Sequence, residues 1–262
     1  MSQLICILVS FLASVIGSIC GIGGGVIIKP VLDAWNLYSV STISFISGCI
    51  VLSMSAYSVL EAKLTHKSTI EKGSGTQLGI GAALGGVLGK QLFDIAKTCF
   101  DDPNTIGAIQ AAILFAITLG TAVYTVRRAN IHTYRIRNPL AVLSIGLSLG
   151  VISAFLGIGG GPLNLTVLYF FFSMEPKKAA QNSLYIILLS QSASLLVTML
   201  RGAVPAFPVP VFLSMVCCGI LGGALGRRIN RRLDDRTVNR LFFYLLLVIM
   251  GICCYNVFRY SS

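Results

Sequence analysis

Two apolar stretches, 4–40 and 139–174, are too long for one membrane crossing, and each carries the same interruption near its middle. Each would make about 50 Å of helix, where about 20 residues, or 30 Å, cross a bilayer. The first is broken by Gly21-Ile22-Gly23-Gly24-Gly25 and the second by Gly157-Ile158-Gly159-Gly160-Gly161. Three adjacent glycines stop a helix, and Pro162 suits the first position of a new one. Six further stretches, 43–60, 77–95, 106–126, 180–200, 207–225 and 239–258, read as single spans. Only 11% of the residues are charged and 55% are apolar, whereas a soluble chain has about 25% charged residues. A soluble enzyme, a nucleic-acid-binding domain and a disordered tail are thereby excluded. The net charge of +11 is expected in cytoplasmic loops, where Lys and Arg set the orientation of a membrane protein. No removable signal peptide is expected, because the N-terminus lacks a charged n-region and a clean cleavage site.

The two five-residue strings lie 136 residues apart, about half the chain. A second match supports a duplication. Leu84-Gly85-Gly86-Val87-Leu88-Gly89-Lys90 corresponds to Leu221-Gly222-Gly223-Ala224-Leu225-Gly226-Arg227 at an offset of 137, and Asp101-Asp102 and Asp234-Asp235 follow at similar distances. The chain therefore divides into a first transmembrane repeat, 1–126, a basic cytoplasmic linker, 127–138, and a second repeat, 139–262.

Charge decides between two topologies. If each broken stretch crosses once, the 20 Lys and Arg divide about 9 to 11 across the membrane. If each enters and returns on the same side, one face holds 15: Lys63, Lys67, Lys72, the four arginines from Arg127 to Arg137, Lys177, Lys178 and the six from Arg227 to Arg240. The other face then holds Lys90, Lys97, Arg201 and Arg259, with Lys29 inside the first broken stretch. The second arrangement obeys the positive-inside rule. The expected fold is an all-α polytopic membrane protein of two inverted repeats, each a glycine-broken helical hairpin plus three spanning helices. Both termini lie outside the cytoplasm in that scheme, and two full crossings in place of each hairpin give the same parity.

A helix that starts at membrane depth presents unpaired N–H groups and the positive end of its dipole, a natural seat for an anion. Such backbone is tolerated only against protein or a water-filled cavity. Gly21, Gly23, Gly24, Gly25, Gly157, Gly159, Gly160 and Gly161 are thus candidate anion-binding positions, with close helix packing as the alternative. Gly81, Gly85 and Gly89, like Gly219, Gly222, Gly223 and Gly226, have small-xxx-small spacing and read as helix-crossing faces. Lys29, one turn past the first break, either offers countercharge or snorkels to the interface. Asn164, Asn182 and Ser183 either coordinate the anion or bond between helices. None of the nine acidic residues falls in the middle of a full span, so no buried carboxylate relay is expected. The two histidines are in loops, seven of the eight cysteines lie in apolar stretches, and no metal-ligand spacing occurs. Neither a metal nor a cofactor is expected, and motifs for an enzyme are missing.

At these residues the sequence resembles the TauE/SafE family of sulfite exporters, also called TSUP. The family's G-x-G-G-G followed by apolar residues and proline resembles Gly21 to Gly25 with Pro30, and its second copy resembles Gly157 to Gly161 with Pro162. Its A-x-x-S-L element resembles Ala180-Gln181-Asn182-Ser183-Leu184. Three features depart from the family pattern. Lys29 and Asn164 stand at usually apolar positions, Thr166 replaces a second proline, and the first-half element is reduced to Ser44-Phe45-Ile46-Ser47-Gly48. The resemblance implies a multi-pass transporter of the inner (plasma) membrane for a small anion such as sulfite or an organosulfonate. The expected partners are that anion and the bilayer, with a homodimer possible through the glycine faces and no nucleic acid. A channel-like anion conduit and a membrane scaffold without cargo are the alternatives.

Overall fold

The computed structural model describes residues 2–35, 38–65, 68–71, 73–100, 103–128 and 131–261. Lys67, Lys72 and the pair Asp101-Asp102, which entered the charge and repeat arguments, lie outside the described residues, as does His66, one of the two loop histidines. The described chain is all-helical: α1 (Ser2–Cys20), α2 (Gly25–Trp35), α3 (Val40–Leu64), α4 (Ser74–Cys99), α5 (Pro103–Arg127), α6 (Pro139–Leu156), α7 (Pro162–Phe172), α8 (Pro176–Leu200), α9 (Val209–Arg232) and α10 (Asp235–Ser261). Eight of these are long and apolar enough to cross a membrane. The other two, α2 and α7, have 11 residues each, about 16 Å and so half a bilayer.

Both helix breaks fall where the glycines predict. Pro162 opens α7, and α6 ends on Gly157 in the left-handed region. In the first half α2 folds back along α1. A Cβ on Gly17 would stand 2.6 Å from Gly23 C and Gly24 N, and one on Gly24 would stand 3.2 Å from Ser14 N. α2 thus begins level with the middle of α1 and returns toward the face where α1 started. The carbonyls at its C-terminal end are capped by Arg259, which donates to Asp33 O at 2.7 Å and Ala34 O at 2.6 Å. A guanidinium is favoured there by the negative end of the helix dipole.

The two halves exchange partners. α6 packs along α4, and equivalently α1 packs along α9. α4 rests on α8 as α9 rests on α3, and α2 meets α10 as α7 meets α5. α3 against α8 and α5 against α10 pair each helix with its own equivalent. α2 leans on α1 as well, while α7 leans on α5 and α8. The seams are the LGGxLG segments. A Cβ on Gly85 or Gly89 would overlap Leu147 O or Val151 O of α6; one on Gly222 or Gly226 would crowd Phe11 O or Val15 O of α1. Leu4, Leu8, Leu12 and Ile16 on α1, and Ile80, Leu84, Leu88 and Leu92 on α4, form exposed stripes facing away from these seams, as lipid-facing residues do. The glycine faces that could have served a homodimer are used within the chain.

Residue pairings fix the directions of the helices. On α9 and α1, Gly222 meets Phe11 and Gly226 meets Val15; on α9 and α3, Gly219 meets Ile50 and Gly223 meets Met54. These three helices run the same way. So do α4, α6 and α8, since Gly81, Gly85 and Gly89 meet Leu143, Leu147 and Val151, while Gly75 and Gly86 meet Asn182 and Ser190. α3 opposes α8, because Gly48 faces Gln191 and Leu195 while Val51 and Met54 cluster with Ile187 and Leu184.

Ion pairs separate the two charge schemes. Lys178 bonds Glu71 at 2.5 Å, and Arg227 and Arg231 both engage Glu61. At the opposite end Asp94 pairs with Lys90 at 2.9 Å and with Arg201 at 3.6 Å. One crossing per broken stretch would put Glu71 and Lys178 on opposite faces, so the ion pairs argue against it and agree with the schemes in which each broken stretch returns to the side it left. Gly85→Leu is expected to cost more than the about 1–3 kcal/mol of ordinary overpacking, because the obstacle is backbone. Gly251→Leu, with nothing within 4 Å, should leave the unfolding temperature in detergent unchanged.

Candidate functional site

The two breaks meet at the centre of the α3/α8 pair. Gly21, Gly23, Gly157, Gly159 and Gly160 have φ of 78°, 76°, 64°, 70° and 143°, values that favour glycine. Gly23 and Gly159 both face Val51, and Gly23 and Gly160 both face Ile187. Val51 and Ile187 are equivalent residues of the repeat, 136 positions apart. At Gly25, the start of α2, any Cβ would overlap Ile158 O, and at Gly160 it would lie 3.4 Å from Ile22 O. The carbonyl of one break therefore stands at the positive end of the half-helix that follows the other.

Gly21 and Gly157 explain the small-residue element. A Cβ on Gly157 would be 2.5 Å from Ser44 Oγ, and one on Gly21 would overlap Ala180 Cα. Ser44 and Ala180 are equivalent positions, and a larger side chain at either would collide with the break. Three positions farther on, Ser47 and Ser183 are both fully buried, and neither hydroxyl has a hydrogen-bond partner. Ser47 Oγ stands 2.8 Å from the Cβ position of Gly25, and Ser14 Oγ, also buried and unpartnered, 3.2 Å from that of Gly24. Two idle hydroxyls thus flank the N-terminus of α2. The sequence reading did not select Ser14 for the site, nor Ser190, another buried unpartnered hydroxyl. Other hydroxyls in this chain bond back to their own helix, as Ser10 does to Cys6 O at 2.7 Å, and spacing does not distinguish the two cases.

Two cavities approach the junction from opposite faces. On the less basic face one of about 310 Å³ is lined by Ser41, Ser44, Gly157, Gln191, Ser194 and Thr198, with Lys90, Asp94 and Lys97 at its rim. On the basic face one of about 150 Å³ is lined by Ser18, Lys177, Lys178, Ala180, Gln181, Arg227, Asn230 and Arg231. The linings correspond through the repeat: Ser44 with Ala180, Ala154 with Ser18, Lys90 with Arg227, Phe93 with Asn230 and Asp94 with Arg231. The narrower cavity has the tighter lacing, through Glu61 to Arg227 and Arg231 and through Glu71 to Lys178. A larger cavity of about 790 Å³ on the basic face, near Arg135 and Arg137, is lined by residues of neither break.

The remaining predicted residues fall in different places. Lys29 does not snorkel. It is buried, donates to Ser44 Oγ at 2.9 Å and lies 3.6 Å from Asp33 Oδ2. The expectation of no buried carboxylate is corrected by Asp33, which is buried on α2. It sits four residues after Lys29, on the same helix face, where the two charges offset each other. Asn164 is buried in the first turn of α7, its N–H bonded to Gly161 O at 3.2 Å. Asn182 is committed elsewhere. Its amide nitrogen donates to Thr69 O and Lys178 O at 3.2 and 2.8 Å, and its oxygen accepts from Glu71 N–H at 3.1 Å. It clamps the loop between α3 and α4 onto α8. In that loop, burial opposes ionisation of Glu71, but hydrogen bonds from Lys178 and Ser74 and the ammonium charge outweigh it, holding the carboxyl below its ordinary range.

A family model described as sulfite exporter TauE/SafE matches residues 6–253. A protein of Bacillus subtilis (strain 168) described as "Probable membrane transporter protein YunE" is 25% identical over 269 residues, spanning 95% of this chain and 96% of that protein. No solved structure matches.

The loop clamp makes two predictions. Asn182→Ala should speed hydrogen exchange of the amides at 69–71 by about tenfold or more, since it leaves three hydrogen bonds unmade. Glu71→Gln should lower stability at pH 7 by at most about 1 kcal/mol, as for a half-exposed pair. Because the folded carboxyl ionises below its ordinary range, that contribution is full above the ordinary carboxylate range and fades as pH falls through the lowered value. The gap in unfolding temperature between wild type and Glu71→Gln should close accordingly in acid.

Proposed function

Because the chain belongs to the sulfite exporter TauE/SafE family, it is a multi-pass membrane transporter and not an enzyme, and we propose that its cargo is a small anion carried through the junction of the glycine breaks. A sulfur oxyanion such as sulfite or an organosulfonate is the cargo that best fits the family's description. The proposed seat is the start of α2, with Gly23, Gly24 and Gly25, the hydroxyls of Ser14 and Ser47, and the equivalent turn from Gly157 to Gly161 with Ser183 and Asn164. Backbone N–H groups and neutral hydroxyls suit an oxyanion, which needs several donors and little fixed charge.

The observation that carries this reading is the pair of cavities built from equivalent residues on opposite faces. Inverted repeats convert one conformation into its mirror by exchanging the roles of the two halves. In the proposed cycle the wider cavity admits the anion past Lys90 and Lys97 to Ser44 and Gln191. Closing that side and opening the other would exchange Lys90 for Arg227 at the mouth. Cations at both mouths concentrate anions, as charged clefts do. The segments 1–126 and 139–262 act in this scheme as inverted repeats that exchange their fourth helices, α4 and α9.

Counterflow of radiolabelled sulfite in proteoliposomes tests the proposal. Wild type is expected to show saturable flux stimulated by unlabelled sulfite on the far side. Gln191→Leu, which leaves both breaks intact, should cut the flux about tenfold or more, the loss of one hydrogen bond to a charged ligand. Unitary currents without counterflow would identify a conduit instead, and a protein that moves neither sulfite nor an organosulfonate would contradict the cargo.

A further inference from the structure

Lys29 and Asp33 face each other across one turn of α2, Nζ 3.6 Å from Oδ2, with side chains only 3% and 8% exposed. The pair is one hydrogen bond away from the anion path, because Lys29 Nζ donates to Ser44 Oγ at 2.9 Å and Ser44 lines the wider cavity beside Gly157. The other carboxylate oxygen, Asp33 Oδ1, is buried and has no partner. Gln110 Oε1 and Asn256 Oδ1 are also buried without partners. Lys29, Asp33, Gln110 and Asn256 border one space of about 10 Å³. The amide nitrogens of Gln110 and Asn256 donate to Phe155 O at 2.6 Å and Pro30 O at 2.9 Å, which fixes their oxygens as the free atoms. Three of the residues bordering the space therefore carry an idle acceptor, one of them a carboxylate. A proton on Asp33 Oδ1 turns one acceptor into the missing donor.

Charge gives that proton a role. With Asp33 ionised, the pair is neutral and Lys29 has no net charge to offer. With Asp33 protonated, the same site carries an uncancelled positive charge next to Ser44. A buried anion without countercharge is costly, so an arriving anion favours the protonated form. By linkage a proton on Asp33 favours the anion to the same extent. We propose that Asp33 takes up one proton when an anion binds at the junction, which makes Lys29 and Asp33 the coupling site of a proton–anion symporter; this rests on the anion path proposed above. The proton enters from the wider cavity: Lys29 hands one of its ammonium protons to Asp33 and is reprotonated through the Ser44 hydroxyl, and the proton on Asp33 leaves with the anion.

The other ionisable groups around the pair have different positions. Arg259 on α10 is committed to the carbonyls of Asp33 and Ala34. Cys253 and Tyr260 of α10 face Asp33, α5 contributes Gln110, and α3 contributes Ser44. Cys6 of α1 and Tyr38 adjoin the apolar side of α2 at Ile28 and Leu32. On the cavity rim of α4, Asp94 is held by Lys90 and Arg201, and Lys97 stands nearby. Asp33 is the one carboxylate bordering the small space among the described residues.

Calorimetric titration of the detergent-purified protein with ethanesulfonate tests the coupling. Ethanesulfonate keeps a single charge between about pH 5 and pH 8, and buffers of different ionisation enthalpy count the protons taken up per anion. Wild type should take up as much as one proton, with affinity falling about tenfold per pH unit on the alkaline side. Asp33→Asn should abolish the uptake and flatten affinity against pH, and Lys29→Met should weaken binding about tenfold or more. The wild-type count decides by itself if a variant fails to fold. Anion binding with no proton uptake overturns the coupling site and leaves the anion path standing. Uptake that persists in Asp33→Asn overturns the role of Asp33. Failure of both ethanesulfonate and sulfite to bind at any pH contradicts the anion path, and the coupling falls with it.

Discussion

Backbone N–H and C=O groups at membrane depth must find partners inside the protein, and the rest of this structure follows from that requirement. Two helices are broken where no water is guaranteed, and each break is housed by the other half. The carbonyls of Ile22 and Ile158 approach the opposite break, and Val51 and Ile187 fill the space between. Neither break could be sheltered by its own half alone. The exchange of α4 and α9 between halves brings the two breaks together, and the glycine seams at Gly85, Gly89, Gly222 and Gly226 let the helices approach closely enough to do so.

Charge follows the same logic. Ion pairs lace the ends of helices on both faces, where water lowers their cost, and the one fully buried pair among the described residues, Lys29 with Asp33, sits beside the path. Buried pairs add little stability and are strongly destabilising when one partner is removed. The lacing is also uneven. Glu61 and Glu71 tie the basic face at three points, while Asp94 gathers Lys90 and Arg201 at the mouth of the wider cavity. The unequal cavities agree with that difference.

Local features of the sequence carried much of this architecture. Glycine runs and Pro162 located the breaks, the repeated LGGxLG located the seams, and the Lys and Arg count selected hairpins over single crossings. Partner exchange was not legible, because duplication says which elements are equivalent and not which half each packs against. Lys29 was ambiguous for a related reason. A lysine one turn from a break can snorkel or be buried, and the outcome turned on Asp33, four residues on, being buried with it. Asn182 looked like a site residue by position, yet its amide is taken by the loop at 69–71. Ser14 and Ser47 differ from Ser10 only in having no partner, a property of the folded chain.

The central claim is that the two cavities are alternate states of one passage. Spin-label distances measure this directly, with one pair across the wider cavity at Ser41 and Val204 and another across the basic-face cavity at Lys177 and Arg231, where Arg227 remains to hold Glu61. Each pair is recorded in a separate sample of reconstituted protein with and without sulfite. The account predicts reciprocal change: when sulfite shortens the distance across the first pair, it lengthens the distance across the second. Distances that move together, or that stay fixed while sulfite is transported, would contradict it.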